Sequence, residues 1–137
     1  MWVADMDFEC PPEIGRAASR RAAHNVYGYD IGHDRSAAST ARWLSRRWGW
    51  MADPGWVKFS TGVVSGLGFA IRAFTAPGDG VVIQPPVYAP FRGLTEANGR
   101  RVITNPLRPA GGSYEMDFDD LDAKLAGARA MILCNPH

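Results

Sequence analysis

Residues 60–91 read STGVVSGLGFAIRAFTAPGDGVVIQPPVYAPF, and this stretch decides the fold. Leu67, Ala70, Ile71 and Phe74 recur at helical spacing, so the run predicts a helix over Val63 to Phe74, entered through the glycine turn at Gly62. Pro77-Gly78-Asp79-Gly80 is a strong turn signal. The continuous apolar triplet Val81-Val82-Ile83 then has the character of a strand buried on both faces. Just beyond it, Pro85, Pro86 and Pro90 stiffen the backbone around Tyr88. The first turn of a helix offers unsatisfied N–H groups and a partial positive charge, which suits a phosphate. A tyrosine fixed beyond a strand end can stack on a flat ring.

The same alternation extends in both directions. Upstream, Pro12 to His24 predicts a helix that opens on a proline, with Ile14, Ala17, Ala18, Ala22 and Ala23 at helical intervals. Arg35 to Trp48 predicts a second, through Ala37, Ala38, Ala41, Leu44 and Trp48, ended by Gly49 and Asp53-Pro54-Gly55. Trp56 to Ser60 is expected as a short strand. Downstream come a helix from Ala89 to Ala97, a strand from Arg101 to Thr104, and a Pro- and Gly-bearing connection from Pro106 to Ser113. Asp117 is placed to cap a helix running to Ala126, with acids in its first turn. Ala130 to Cys134 is expected as another buried strand. Strands separated by helices argue for an α/β fold, a mainly parallel sheet with flanking helices.

Composition narrows the function classes. With 137 residues, 46% of them hydrophobic and 21% charged, the chain has the make-up of a soluble globular protein. A formal net charge of +1 gives no footprint for nucleic acid or an anionic membrane. All basic residues except Lys58 and Lys124 are arginines. The pairs Arg20-Arg21, Arg46-Arg47 and Arg100-Arg101 suit solvated faces, or clamps for phosphate and carboxylate. Cys10 and Cys134 form neither a disulfide framework nor a metal site by spacing, and His24, His33 and His137 have no metal-ligand spacing. No metal is expected. Acids at Asp5, Asp7 and Glu9 stand where a signal peptide would be basic and then apolar, so a cytoplasmic location is expected.

Taken alone, each chemical signal leaves an ordinary alternative. Gly62 can be plain turn chemistry. It opens neither a Walker loop, since no Gly-Lys-Ser/Thr follows, nor a dinucleotide fingerprint, since the glycines stand at 62, 66 and 68. Tyr88 can be a packed tyrosine, and so can Tyr27 and Tyr29. Asp5 and Asp7 alternate on an extended segment and so point to opposite sides, which does not make a general acid/base pair.

Taken together with Met1-Trp2-Val3-Ala4-Asp5-Met6-Asp7-Phe8 and Cys134-Asn135-Pro136-His137, the stretch resembles the pyridoxal-phosphate-dependent cystathionine β-lyase family of the class I/II aminotransferase fold. The resemblance runs along the whole chain in order. It implies an N-terminal fragment of the large domain of PLP fold type I, with 1–55 as a helical segment and active-site mouth and 56–137 as the first part of the cofactor-binding α/β domain. It implies pyridoxal 5′-phosphate as cofactor, its phosphate cradled by Val63 and Val64 and its ring covered by Tyr88. Tyr29 would reach the phosphate of the neighbouring subunit in a homodimer, and the backbone at Val3 and Ala4 would approach the substrate carboxylate. Ser65 departs from the proline frequent in the family and adds only a hydroxyl.

The substrate implied is an amino-acid thioether, cystathionine or an L-cysteine S-conjugate, cleaved to a thiol, pyruvate and ammonia. No catalytic residue is assigned here. Asn135 is one Asn-Pro too early for the family's ring-binding asparagine, and the Schiff-base lysine is expected beyond the chain end, since neither Lys58 nor Lys124 is in a matching position. Two other readings stay open: a class I/II aminotransferase, and a non-catalytic fragment or interaction module.

Overall fold

The structure, a computed structural model, describes residues 6–29 and 33–137. The chain divides into two compact units, 1–57 and 58–137. In the first, α1 (Pro12–Ala23) opens on its proline and buries no residue. Helix α2 (Asp34–Trp48) buries only Ala37 and Ala41, and ends on Gly49 in the left-handed region, whose N–H returns to the Ser45 carbonyl. A single 3-10 turn, Pro54–Trp56, follows and is capped by the Asp53 carboxylate accepting from the Gly55 N–H.

The second unit holds the sheet. Helix α3 (Val63–Phe74) leads through the Pro77–Gly80 turn into β1 (Gly80–Ile83). From there α4 (Pro90–Ala97) crosses to β2 (Arg101–Thr104). A hairpin of β3 (Arg108–Ala110) and β4 (Ser113–Glu115) comes next, then α5 (Phe118–Leu125) and β5 (Ala130–Met131). The main sheet has the order β2-β1-β5 and is parallel throughout. Val82 of β1 lies opposite Ile103 on one side and Met131 on the other. Every residue of β1 is buried, as a central parallel strand covered on both faces requires. Ile71 of α3, Val81, Ile83, Phe91 of α4 and Ile132 form the core, with Leu67, Val87, Leu94, Val102 and Ala130 packed against it.

One glycine is dictated by close approach. A Cβ on Gly80 would collide with the Ile103 side chain and stand 2.5 Å from the Gly127 carbonyl oxygen, so the strand can enter beside the α5–β5 turn only without a side chain.

Three expectations need correction. Trp56 to Ser60 forms no strand: Trp56 closes the 3-10 turn, and residues 57–60 enter no ladder. The Pro106 to Ser113 connection contains β3 and the start of β4, because Gly111 and Gly112 take φ of 54° and 86° and so make a two-residue reversal. The last strand is shorter than Ala130 to Cys134. It pairs at Ala130 and Met131, and the Ile132 N–H adds one bond to the Val82 carbonyl at 2.9 Å.

Candidate active site

The end of α3 at Phe74 is followed after a short turn by β1, so the helix runs back along the sheet. Its N-terminus therefore lies at the carboxyl edge of the strands, the edge where parallel α/β sheets build their crevices. Gly62 caps it in an extended conformation, and the first intrahelical bond is Gly66 N–H to the Gly62 carbonyl at 3.0 Å. The N–H groups of Val63, Val64 and Ser65 precede that bond and have no acceptor within the helix. Nothing stands within 4 Å of where a Gly62 Cβ would be, and Val63 is 80% exposed. The Ser60 hydroxyl donates to the Gly62 carbonyl at 2.9 Å, which holds the turn ahead of the helix. The turn is thus tied behind the helix and open around Gly62 and Val63, conditions that suit an anion at the helix N-terminus.

Tyr88 leaves the same sheet edge. It follows β1 by five residues and precedes α4, its carbonyl accepting from the Phe91 N–H at 3.1 Å. Its ring meets the Phe91 ring edge-on, with centroids 5.5 Å apart and planes at 81°. Phe91 is buried and belongs to the core. The contact fixes one side of the tyrosine and leaves 54% of the residue exposed. Beside it is a hollow of about 150 Å³ lined by Ile83, Pro85, Val87, Tyr88, Ala89 and Arg92. That is smaller than the roughly 300–1,000 Å³ of a complete ligand pocket. Helices α3 and α4 pack against each other where Gly68 faces Leu94, whose Cδ1 would lie 3.4 Å from a Cβ at Gly68.

Val63, Val64 and Tyr88 thus belong to one unit, at the start of α3 and just beyond the carboxyl end of β1. Tyr29 belongs to the other unit and is fully exposed. Its neighbour Tyr27 is committed locally, donating to the Ala22 carbonyl at 2.5 Å with the Arg21 guanidinium over its ring. Val3 and Ala4 lie outside the described residues. Lys58 and Lys124 are both exposed, and Lys124 lies 3.8 Å from the Asp120 carboxylate. Among the described residues no cluster of His, Cys, Asp or Glu is arranged to hold a metal ion, and both cysteines are free thiols. No helix described is long and apolar enough to cross a membrane.

A family model for aminotransferase class I and II matches residues 3–137. The chain belongs to that family. Among class I and II relatives, it is 45% identical over 139 residues to cystathionine beta-lyase PatB of Bacillus subtilis (strain 168), a match covering 100% of this chain and 36% of PatB. Its fold superposes on cystalysin from Treponema denticola, which contains a pyridoxal 5′-phosphate cofactor, with a TM-score of 0.90 and 34% identity. That match covers 98% of this chain and 35% of cystalysin. The PLP-bound C-S lyase from Staphylococcus hominis gives a TM-score of 0.90 at 31% identity, over 100% of this chain and 36% of the lyase. The chain therefore spans little more than a third of the length of the relatives it matches.

A polar group that the sequence pattern did not reveal lies beneath the Tyr88 loop. Gln84 and Asn105, 1% and 0% exposed, pair through Gln84 Nε2 donating to Asn105 Oδ1 at 2.8 Å. Asn105 Nδ2 donates in turn to the Asp120 carboxylate at 2.8 Å and to the Asp117 carbonyl at 3.1 Å. These residues are 21 and 15 positions apart in sequence. The one available signal was the pairing of strand ends that parallel neighbours β1 and β2 imply.

Proposed function

We propose that this chain is part of a pyridoxal-phosphate-dependent carbon–sulfur β-lyase that acts on cystathionine or related L-cysteine S-conjugates. The reading is supported by the open α3 N-terminus, with Val63 80% exposed, and by the half-exposed Tyr88 ring that follows the carboxyl end of β1. The similarity to PatB supports the choice of lyase over transaminase. In this reading the Val63 and Val64 amides receive the cofactor phosphate, and the Tyr88 ring covers one face of the pyridine. Tyr29 supplies a further phosphate contact across a homodimer, and the backbone at Val3 and Ala4 orients the substrate carboxylate. Bound there, the cofactor supplies an electron sink for loss of a thiol from the β-carbon, with pyruvate and ammonia as the other products. The role of this chain is to bind and orient, in a cytoplasmic enzyme that is a homodimer when full length.

The two contacts placed on the sheet unit are weak by themselves. A helix N-terminus contributes about 0.3–2 kcal/mol and an aromatic stack about 0.5–1.5 kcal/mol. Their sum falls short of the roughly 4 kcal/mol of millimolar affinity. The test is a titration of the isotopically labelled chain with pyridoxal phosphate, followed by borohydride reduction and peptide mapping. Amide shifts confined to Gly62 to Ser65 and the Tyr88 loop, weak binding, and no stoichiometric lysine label are expected. Shifts that leave Val63 and Val64 untouched would remove the phosphate site. Stoichiometric labelling of Lys58 or Lys124 with pyruvate release from cystathionine would show that the catalytic lysine is already present.

A further inference from the structure

We infer that Asn105 is a positioning residue for Tyr88, acting through Gln84 and oriented by Asp120. The inference rests on the reading of Tyr88 as the ring that covers the cofactor. Gln84 is the last residue before the Pro85–Tyr88 loop, and that loop has few ties of its own, since Pro85 and Pro86 carry no N–H. The Pro85 carbonyl accepts from the Leu107 N–H at 2.8 Å, and the Pro86 carbonyl accepts from His137 Nε2 at 2.6 Å. The loop root is held in addition from Asn105. Its backbone N–H donates to the Ile83 carbonyl at 3.0 Å, and its side chain takes the Gln84 amide.

The direction of the amides is fixed from the far end. The Asp120 carboxylate and the Asp117 carbonyl can only accept, so both claim Asn105 Nδ2. Asn105 Oδ1 must then face Gln84, and Gln84 must present Nε2 to it. A flipped Gln84 would set two oxygens together. The consequence is visible at Gln84 Oε1, which is buried with no hydrogen-bond partner among the described residues. Burying an unpaired acceptor is unfavourable, and two apolar side chains of the same shape would spare that cost. The donors of the pair are all used in one direction, from Gln84 Nε2 to Asn105 and from Asn105 Nδ2 to Asp120 and Asp117, and that direction allows one arrangement of the strand end.

Comparing an apolar replacement with a reversed polar pair tests this. In the apolar variant, Gln84→Leu with Asn105→Leu, thermal melting should stay near that of the parent while the loop root loses its orientation. Nuclear Overhauser contacts between the Tyr88 and Phe91 rings should then disappear. The initial slope of the Val63 and Val64 amide shifts against pyridoxal phosphate should fall about two- to tenfold. Asn105→Asp alone sets a carboxylate against both Asp120 and the Asp117 carbonyl and should also lose the ring contacts; adding Asp120→Asn removes the repulsion between carboxylates and restores one donor, and should return them in part. Ring contacts that persist in the folded apolar variant overturn the inference. So does a reversed pair that recovers the melting temperature without the ring contacts, which also decides the case if the apolar variant fails to fold. Lost ring contacts with an unchanged phosphate slope would sustain Asn105 as a positioning residue and refute the stacking role of Tyr88.

Discussion

The two units of this chain are built on different terms. In residues 58–137 a four-residue strand is buried end to end, and Ile71, Phe91 and Ile132 close around it. In residues 1–57 two longer helices bury only Ala37 and Ala41 between them, and α1 buries nothing. Helical periodicity is present in both regions, but it leads to a core only where strands supply a surface for the helices to cover. The difference assigns stability to the sheet unit and leaves the helices of the first unit with apolar surface exposed, including Ile14, Trp43 and Trp48. The proposed cofactor contacts follow the same division. Val63, Val64 and Tyr88 stand on the unit with the larger core, and Tyr29 on the unit whose described residues bury only Ala37 and Ala41.

Truncating the centre of the core should expose this difference most strongly. Ile83 is 2% exposed at the end of β1, and Ile83→Ala removes side-chain volume from a site packed on both faces. The expected cost is about 2–5 kcal/mol, measured by urea unfolding, with faster hydrogen exchange at the β1 and β2 amides. A cost below about 1 kcal/mol would mean that the sheet is not the stabilising element.

Gly80→Ala asks the same question from the opposite direction, by adding volume. The Ile103 side chain can turn aside, but the Gly127 carbonyl 2.5 Å from the new Cβ belongs to the backbone and cannot move without shifting the α5–β5 turn. The expected cost is roughly 1–3 kcal/mol, with exchange accelerating first at Arg129, whose N–H donates to the Gly80 carbonyl at 2.8 Å. A neutral result would show the turn to be loose, and with it the edge strand β5.

What was legible in the sequence follows the range of the interactions. Helix α3 and strand β2 have the bounds that their periodicity and flanking turns predict, because apolar spacing and the Pro77–Gly80 turn are local signals. The Asp117 cap is local too, and its carboxylate accepts from the Asp120 N–H as expected. Trp56 to Ser60 has the apolar character of a strand but forms none, because an extended run becomes a strand only with a partner, which sequence does not specify. The hairpin has a local signal at Gly111-Gly112, masked by Pro106 and Pro109, which disfavour a strand; Pro109 is tolerated opposite Tyr114 in a two-stranded ribbon. In the candidate site, the turn glycine and the tyrosine after the strand could be read directly. The Gln84, Asn105 and Asp120 group could not, since it exists only once β1, β2 and α5 are side by side.

The smallest expected effect is the most demanding check on the comparison. Ile14 lies on α1 at 58% exposure, and Ile14→Ala gives up a partly solvated side chain while gaining a few tenths of a kcal/mol in helix propensity. The net change should stay within about 0.5 kcal/mol in either direction, read from the loss of helical circular dichroism at a low chain concentration. Repeating the measurement at a hundredfold higher concentration separates two physical situations. If α1 is solvated, the variant and the parent respond alike. If the Ile14 face is covered by a second copy, the parent gains stability with concentration and the variant gains less, because binding to the folded state adds stability by mass action. The second outcome would move the apolar surface of residues 1–57 from unused to intermolecular, and would join the weakly packed unit to the homodimer in which Tyr29 is proposed to act.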